Sequence, residues 1–424
     1  MSSCAYDLGA AAMRVMLMAF PTRKRVHSMA PVGWALAAAG HEVRFVGQRN
    51  PRAVASFAET GLDTMWFGEE LDIARHRQLQ VDGNTARQGD FRLCESRPER
   101  YTDEYVRNVY EHWVDVFRWT TPDSLLDELV RFARQWQPDL VVWDPLVYAA
   151  PIVAHAVGVP HLRMMYAADQ TARIGAQYRD LRASRAEDTP PDPFVAWMSA
   201  AVGRFGADYD ETLRYGVRTI DCHPSYLRYD GVDVDYLPTR FVPQDKPMAV
   251  PSWVLERPER PRVLLTLGGG EISVGDLLDG LADLDLEVIA TLTASQPGSA
   301  HTIPDNVRAV DSVPVNELLA SCSAIVHRGG GATISTAAVN GVPQLVIPGT
   351  TWSERCSAVA QVKRGNGLLV DPEDATPSSV RDGVCRLLEE PSFQECALKV
   401  RDEMLATPTL DDLVPELERI ALCP

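Results

Sequence analysis

The sequence has no apolar run of eighteen residues, so nothing in it reads as a bilayer-spanning helix. It does not open on a basic cluster followed by an apolar core, so residues 1–12 read as a loose tail and not as a secretory signal. Its eight cysteines include no C-x-x-C pair, which excludes zinc ribbons and dithiol redox motifs. Cysteines scattered in this way are expected to be reduced packing residues of a cytoplasmic protein. The histidines show no H-E-x-x-H spacing and the serines no G-x-S-x-G elbow, so metal-ligand and hydrolase readings find no support. Positive charge is in deficit, with 41 Lys and Arg against 58 Asp and Glu, a net −17. Such a surface excludes nucleic acid and anionic membrane as partners but leaves room for one small anion in a local pocket.

The chain has 424 residues, above the usual ceiling for a single core, and two domains follow as the first expectation. Met13–Ala19 is a short apolar run suited to a buried parallel strand. A polar loop follows over Pro21–Ser28. Pro31–Ala39 reads as a helix closed by Gly40, and His41–Gly47 as the next strand. Helices over Asp103–Trp119, Ser124–Trp136 (Ser124 as its cap) and Pro151–Val157, with a strand at Leu140–Trp143, continue an open α/β domain. Trp113, Phe117 and Trp119 are expected to be core, the alternative being an apolar ligand pocket or a surface for a partner protein. Gly83–Tyr105 is a polar excursion. Tyr236–Arg262 holds six prolines, which resist regular structure and suggest a linker. The α/β pattern then restarts at Arg262–Leu267. The boundaries are a tail to residue 12, one α/β domain over 13–236, a linker over 237–262, a second α/β domain over 263–408, and a last helix over 409–424 that returns to the first domain.

The most informative segment is AIVHRGGGATISTAAVNGVPQLVIP, residues 324–348. A strand ends in His327 and Arg328, the glycines Gly329, Gly330 and Gly331 follow, and a helix begins near Thr333. Glycine lets the backbone approach an oxyanion closely. The helix N-terminus offers unpaired N–H groups and partial positive charge. His327, Arg328 and the Thr333 hydroxyl add donors. These ingredients suit a diphosphate; the alternative is a flexible turn. The spacing fits neither a Walker loop nor a dinucleotide fingerprint.

At these residues the sequence resembles the inverting, two-domain glycosyltransferases of antibiotic biosynthesis, which have the GT-B fold. HRGGGAT with GVPQLVIP is similar to their donor-binding signature. PVGWALAAAGHEVRFV, FARQWQPDLVVWDPLVYAAPIVA and IPDNVRAVDSVPVNELL agree in order along the chain from Met13 onward. The resemblance leans toward macrolide deoxyaminosugar transferases. It implies two Rossmann-like domains facing a central cleft, with a TDP-deoxysugar as co-substrate, a hydrophobic polyketide aglycone as acceptor and no metal. It also implies a cytochrome-like helper protein, and it allows a homodimer.

Residue by residue, the resemblance implies diphosphate contacts at His327, Arg328, Gly329, Gly330, Gly331 and Thr333. Gly268 and Gly269 would form a second loop facing the phosphates. Val313 would present its backbone to the base, or be a buried residue before Pro314. Ser353 and Glu354 stand where the family shows Trp-Asp and would reach the sugar hydroxyls; Glu354 could equally be a solvated helix-start carboxylate. The family's base is a histidine after the first strand, but ungapped alignment puts Arg25 there, and arginine stays protonated. His27 lies two residues on, the alternative being a surface or capping residue, and Asp144 matches the partner carboxylate, the alternative being an Asx-turn residue before Pro145. Three mechanisms stay open: His27 as base oriented by Asp144, Asp144 alone with Arg25 holding it ionised, or an acceptor that needs no strong base. A nucleotide-sugar epimerase of the same fold and a non-catalytic sugar-nucleotide binder are the rival readings.

Overall fold

The computed structural model describes residues 12–73, 96–185, 191–245, 247–268, 273–292, 302–349 and 351–422. Two parallel sheets organise it. The first contains β1 (Arg14–Met18), β2 (Glu42–Gln48), β3 (Asp63–Phe67), β4 (Leu140–Trp143), β5 (His161–Met164), β6 (Arg218–Asp221) and β7 (Tyr236–Pro238). The second contains β8 (Arg262–Thr266), β9 (Glu287–Thr291), β10 (Val307–Val310), β11 (Ala324–His327), β12 (Gln344–Val346) and β13 (Gly367–Leu369). Their orders are 3-2-1-4-5-6-7 and 10-9-8-11-12-13. The central strands β4 and β11 are buried along their whole length, which is why LVVW and AIVH carry no polar alternation.

The helices of the first domain are α1 (Arg23–Ala38), α2 (Val54–Ala58), α3 (Asp103–Trp119), α4 (Asp123–Trp136), α5 (Ala149–Val157), α6 (Gln170–Ala183), α7 (Pro193–Gly203) and α8 (Thr212–Tyr215). Those that follow are α9 (Ser252–Leu255), α10 (Val274–Asp279), α11 (Val315–Leu319), α12 (Gly331–Val339), α13 (Trp352–Arg364), α14 (Pro377–Glu389), α15 (Pro391–Leu405) and α16 (Leu410–Leu422).

Each sheet reverses its strand order once, between β1 and β4 and again between β8 and β11. Neighbouring connections diverge at such a point, which leaves a crevice at the carboxyl ends of the strands. Register sets Met18 beside Trp143 and Thr266 beside His327. Asp144 therefore follows β4 at the first of these points, buried beneath it, and the triple glycine follows β11 at the second.

Some expected boundaries move. The Pro21–Ser28 stretch is not all loop, because α1 begins at Arg23 and Pro31 lies inside it. Pro at a first helical position is common, but here the ring sits in the third turn, and the helix forgoes one N–H at that point. The residue before α4 is Pro122, so Ser124 is within the helix. Tyr236–Pro238 is a strand paired with β6, so the first sheet extends two residues into the expected 237–262 linker. That stretch is also anchored: the Asp245 carboxylate accepts hydrogen bonds from Val315 and Asn316 N–H, both at 3.0 Å, at the start of α11.

The chain ends by crossing back. Leu413, Val414, Leu417 and Ile420 of α16 share a core with Val15, Leu17 and Leu36 of the first domain. Around it His41 Nε2 lies 3.0 Å from Glu418, and Arg218 pairs with Glu416 at 2.9 Å. Among the described residues no helix is long and apolar enough to cross a membrane, and no His, Cys, Asp and Glu cluster has a metal-binding arrangement. The described cysteines, Cys222, Cys322, Cys356, Cys385 and Cys396, are free thiols.

Candidate active site

The donor side is built by β11 and α12. Gly329 sits at φ +87°, and a Cβ there would fall 2.9 Å from the Glu354 carbonyl oxygen, so glycine is needed on both counts. Gly330 is the N-cap of α12. The first intrahelical bond runs from Ile334 N–H to Gly330 O at 3.0 Å. The N–H groups of Gly331, Ala332 and Thr333 precede it and are available to an anion. Gly268, at φ +63°, lies two residues past β8 with open space where a Cβ would be; Gly269 lies outside the described residues.

His327 departs from its expected role. It is buried, Gly329 N–H donates to its Nδ1 at 3.0 Å, and its Nε2 is 2.9 Å from Gln344 Oε1. Because Nδ1 accepts, Nε2 carries the proton and donates to Gln344. Burial pushes the ring down to about 4, so it is neutral at pH 7. Both nitrogens are used inside the protein and neither is left for a phosphate; the ring shapes the glycine turn instead.

Arg328 and Glu354 flank Gly349, where a Cβ would collide with Arg328 Nη2 and the Glu354 carboxylate. Gly349 N–H donates to Glu354 Oε2 at 2.9 Å. Burial raises the Glu354 carboxyl, against the opposing pull of the Arg328 and Lys24 charges. Glu354 is thus a half-buried carboxylate facing two cations, not a solvated helix-start group, and half-buried Ser353 adjoins it in the first turn of α13. The Val313 side chain packs with Val254 and Leu318 in a core, which leaves only its backbone for a ligand.

On the acceptor side Asp144 follows β4 and is fully buried. Its Oδ1 accepts from Leu146 N–H at 2.8 Å, its Oδ2 from Phe20 N–H at 3.3 Å, and Arg25 Nη1 lies 3.6 Å from Oδ1. Burial raises this carboxyl above its ordinary value, and the Arg25 charge and the two N–H groups hold it back. His27 is not part of this group. Two residues along a helix turn the side chain about 200°, and His27 Nε2 instead approaches Glu59 Oε2 of the α2 end to 3.1 Å, outside hydrogen-bonding geometry. Burial and the Arg23 charge lower its pKa. The structure pairs Asp144 with Arg25 and separates it from His27.

The two sides touch. A Cβ on Gly331 would overlap the Tyr166 carbonyl oxygen, which follows β5 of the first sheet. His223 Nδ1 lies 2.6 Å from Ser335 Oγ of α12, both buried. The Trp113 ring stacks on Trp352 with centroids 5.9 Å apart. Ile334, Trp352 and Cys356 enter the first-domain core. Trp113 thus bridges the cleft, while Phe117 is core and Trp119 half-buried. Ser96 Oγ accepts from buried Arg355 Nη1 at 2.8 Å; residues 83–95 of the polar excursion lie outside the described residues. Tyr166, His223 and Ser335 gave no sequence signal, since their importance comes from a partner domain.

Two parallel α/β domains whose switch-point crevices face each other define a GT-B glycosyltransferase. The family models for the erythromycin biosynthesis protein CIII-like N-terminal and C-terminal domains match residues 34–268 and 275–420, and the chain belongs to this family. It is 37% identical over 426 residues to the aclacinomycin-T 2-deoxy-L-fucose transferase of Streptomyces galilaeus, covering 96% of each chain. It is also 37% identical over 421 residues to the 10-deoxymethynolide desosaminyltransferase of Streptomyces venezuelae, covering 96% of this chain and 97% of the relative. Among solved structures, the glycosyltransferase VinC in complex with DTDP matches with a TM-score of 0.85 and 37% identity, covering 97% of this chain and all of the other.

Proposed function

We propose that this glycosyltransferase moves a deoxysugar, an aminosugar included, from a TDP-sugar to a hydroxyl of a hydrophobic polyketide aglycone, with inversion at the anomeric carbon. The observation that carries this reading is the direct apposition of Gly331 and Tyr166, which brings the anion-binding turn against the crevice that holds Asp144. The diphosphate lies on the N–H groups of α12, with Arg328 and the Thr333 hydroxyl as further donors. The acceptor oxygen attacks the anomeric carbon from the face opposite the diphosphate, and the bond from that carbon to the leaving oxygen breaks. The proton goes to Asp144, whose Oδ2 keeps a lone pair beside its one N–H contact. Arg25 holds the carboxylate ionised and must shift to admit the hydroxyl. Protein donors stabilise the leaving TDP, so no metal is needed in this scheme. The helper protein and the homodimer are read from resemblance alone, and assays with and without a helper, at several protein concentrations, test them.

Incubation with a TDP-deoxysugar and a macrolide or anthracycline aglycone should release TDP and yield a glycoside of inverted configuration by NMR. Sugar conversion without an acceptor would point to an epimerase. TDP binding without turnover would leave a binding protein.

A further inference from the structure

The first turn of α1 carries Arg23, Lys24 and Arg25 and no acidic residue. Cations there oppose the helix dipole, so each needs compensation from elsewhere. Arg23 pairs with Glu59, and Arg25 faces Asp144. Lys24 points a third way. It is exposed, and its ammonium group makes no hydrogen bond or ion pair among the described residues. It reaches the other domain: a Cβ built on Gly330 would lie 3.6 Å from Lys24 Nζ and 3.9 Å from Thr333 Oγ1. An ammonium from the first domain and a hydroxyl from the second thus converge on the N-cap of α12, beside its open N–H groups. The nearby Glu354 carboxylate feels both Arg328 and Lys24.

We propose that Lys24 is the diphosphate ligand contributed by the first domain, holding phosphoryl oxygens against Gly330 while Arg328 and Thr333 hold them from the second. This rests on the nucleotide-sugar reading above. Lysine acts as a compact point charge with three donors, which suits a diphosphate bridged across a cleft. Glu354 balances the two cations until the donor arrives. Donor binding then ties α1 to α12, so the diphosphate itself helps hold the cleft closed while the acceptor oxygen attacks.

The test is calorimetric titration of TDP, with thymidine followed in parallel by ligand-observed NMR, on the full chain and on Lys24→Gln and Lys24→Arg. Lys24 is exposed, so the variants fold. Loss of one charge-assisted contact should weaken TDP about tenfold to a hundredfold in Lys24→Gln and flatten the salt dependence of binding. Thymidine affinity should not move, and Lys24→Arg should restore most of the TDP affinity. Equal TDP affinity in wild type and Lys24→Gln overturns the assignment and leaves the donor site intact. Equal weakening toward thymidine assigns Lys24 a structural role and also overturns it. Failure of the wild-type chain to bind TDP removes the donor reading and this proposal together.

Discussion

The Arg25 guanidinium lies 3.6 Å from the Asp144 carboxylate and 4.7 Å from the centre of the Tyr166 ring. A cation therefore roofs the Asp144 carboxylate, at the position where the resemblance expects a histidine. Asp144→Asn keeps the size of the group and removes its basicity. Transfer should fall by about 10²–10⁴ in kcat, the range of general-base contributions, with TDP affinity unchanged. His27→Ala should keep the transfer rate, because its ring faces Glu59. Steady-state kinetics with one aglycone decide this; full activity in Asp144→Asn would remove Asp144 from the mechanism.

The same pair fixes a pH dependence. Burial raises the Asp144 carboxyl above 3.8 and Arg25 pulls it back. A base works in its ionised form, so activity is present above this pKa and lost as pH falls through it. Arg25→Met removes the charge that lowers the pKa, and the acidic limb of the kcat profile should move to higher pH. A limb that stays in place would separate Arg25 from the titrating group.

Much of this arrangement was legible locally. LVVW and AIVH are buried on both faces, so composition alone marks them as central strands, and the residues after them fall at the switch points. The anion turn was legible because strand, glycines and helix start are contiguous. The start of α1 was not, because Pro31 imitates a first helical position while eight helical residues precede it. The role of His327 was hidden for another reason. Gln344 comes 17 positions later on the adjacent strand, and nothing in the sequence says that it takes the Nε2 proton. Lys24 was invisible because its target, Gly330, belongs to the other domain.

His327 also carries a stability signature. Its folded pKa is lowered from 6.5 to about 4, so between these values the unfolded chain binds a proton that the folded chain refuses. Stability is therefore retained above pH 6.5 and lost as pH falls toward 4, at up to about 1.4 kcal/mol per pH unit from this group. His161, lowered to about 3 by burial, adds to the slope. Chemical denaturation between pH 4.5 and 6.5 should show a shallower slope for His327→Gln than for wild type. An unchanged slope would mean that the His327 ring titrates normally in the folded state.

Gly331 makes the sharpest demand on the closed cleft. Alanine is the best helix former and keeps the N–H at the first position of α12, so Gly331→Ala leaves the anion turn chemically intact. Its methyl group nevertheless overlaps the Tyr166 carbonyl oxygen, a backbone atom that no rotamer change can move. Either β5 or the whole second domain must shift. The TDP site belongs mainly to the second domain, whereas transfer needs Asp144 from the first. Gly331→Ala should therefore lose transfer far more than it loses TDP affinity, and small-angle scattering should report a larger radius of gyration. Wild-type kinetics in this variant would show that the turnover state does not use the contact between Gly331 and Tyr166.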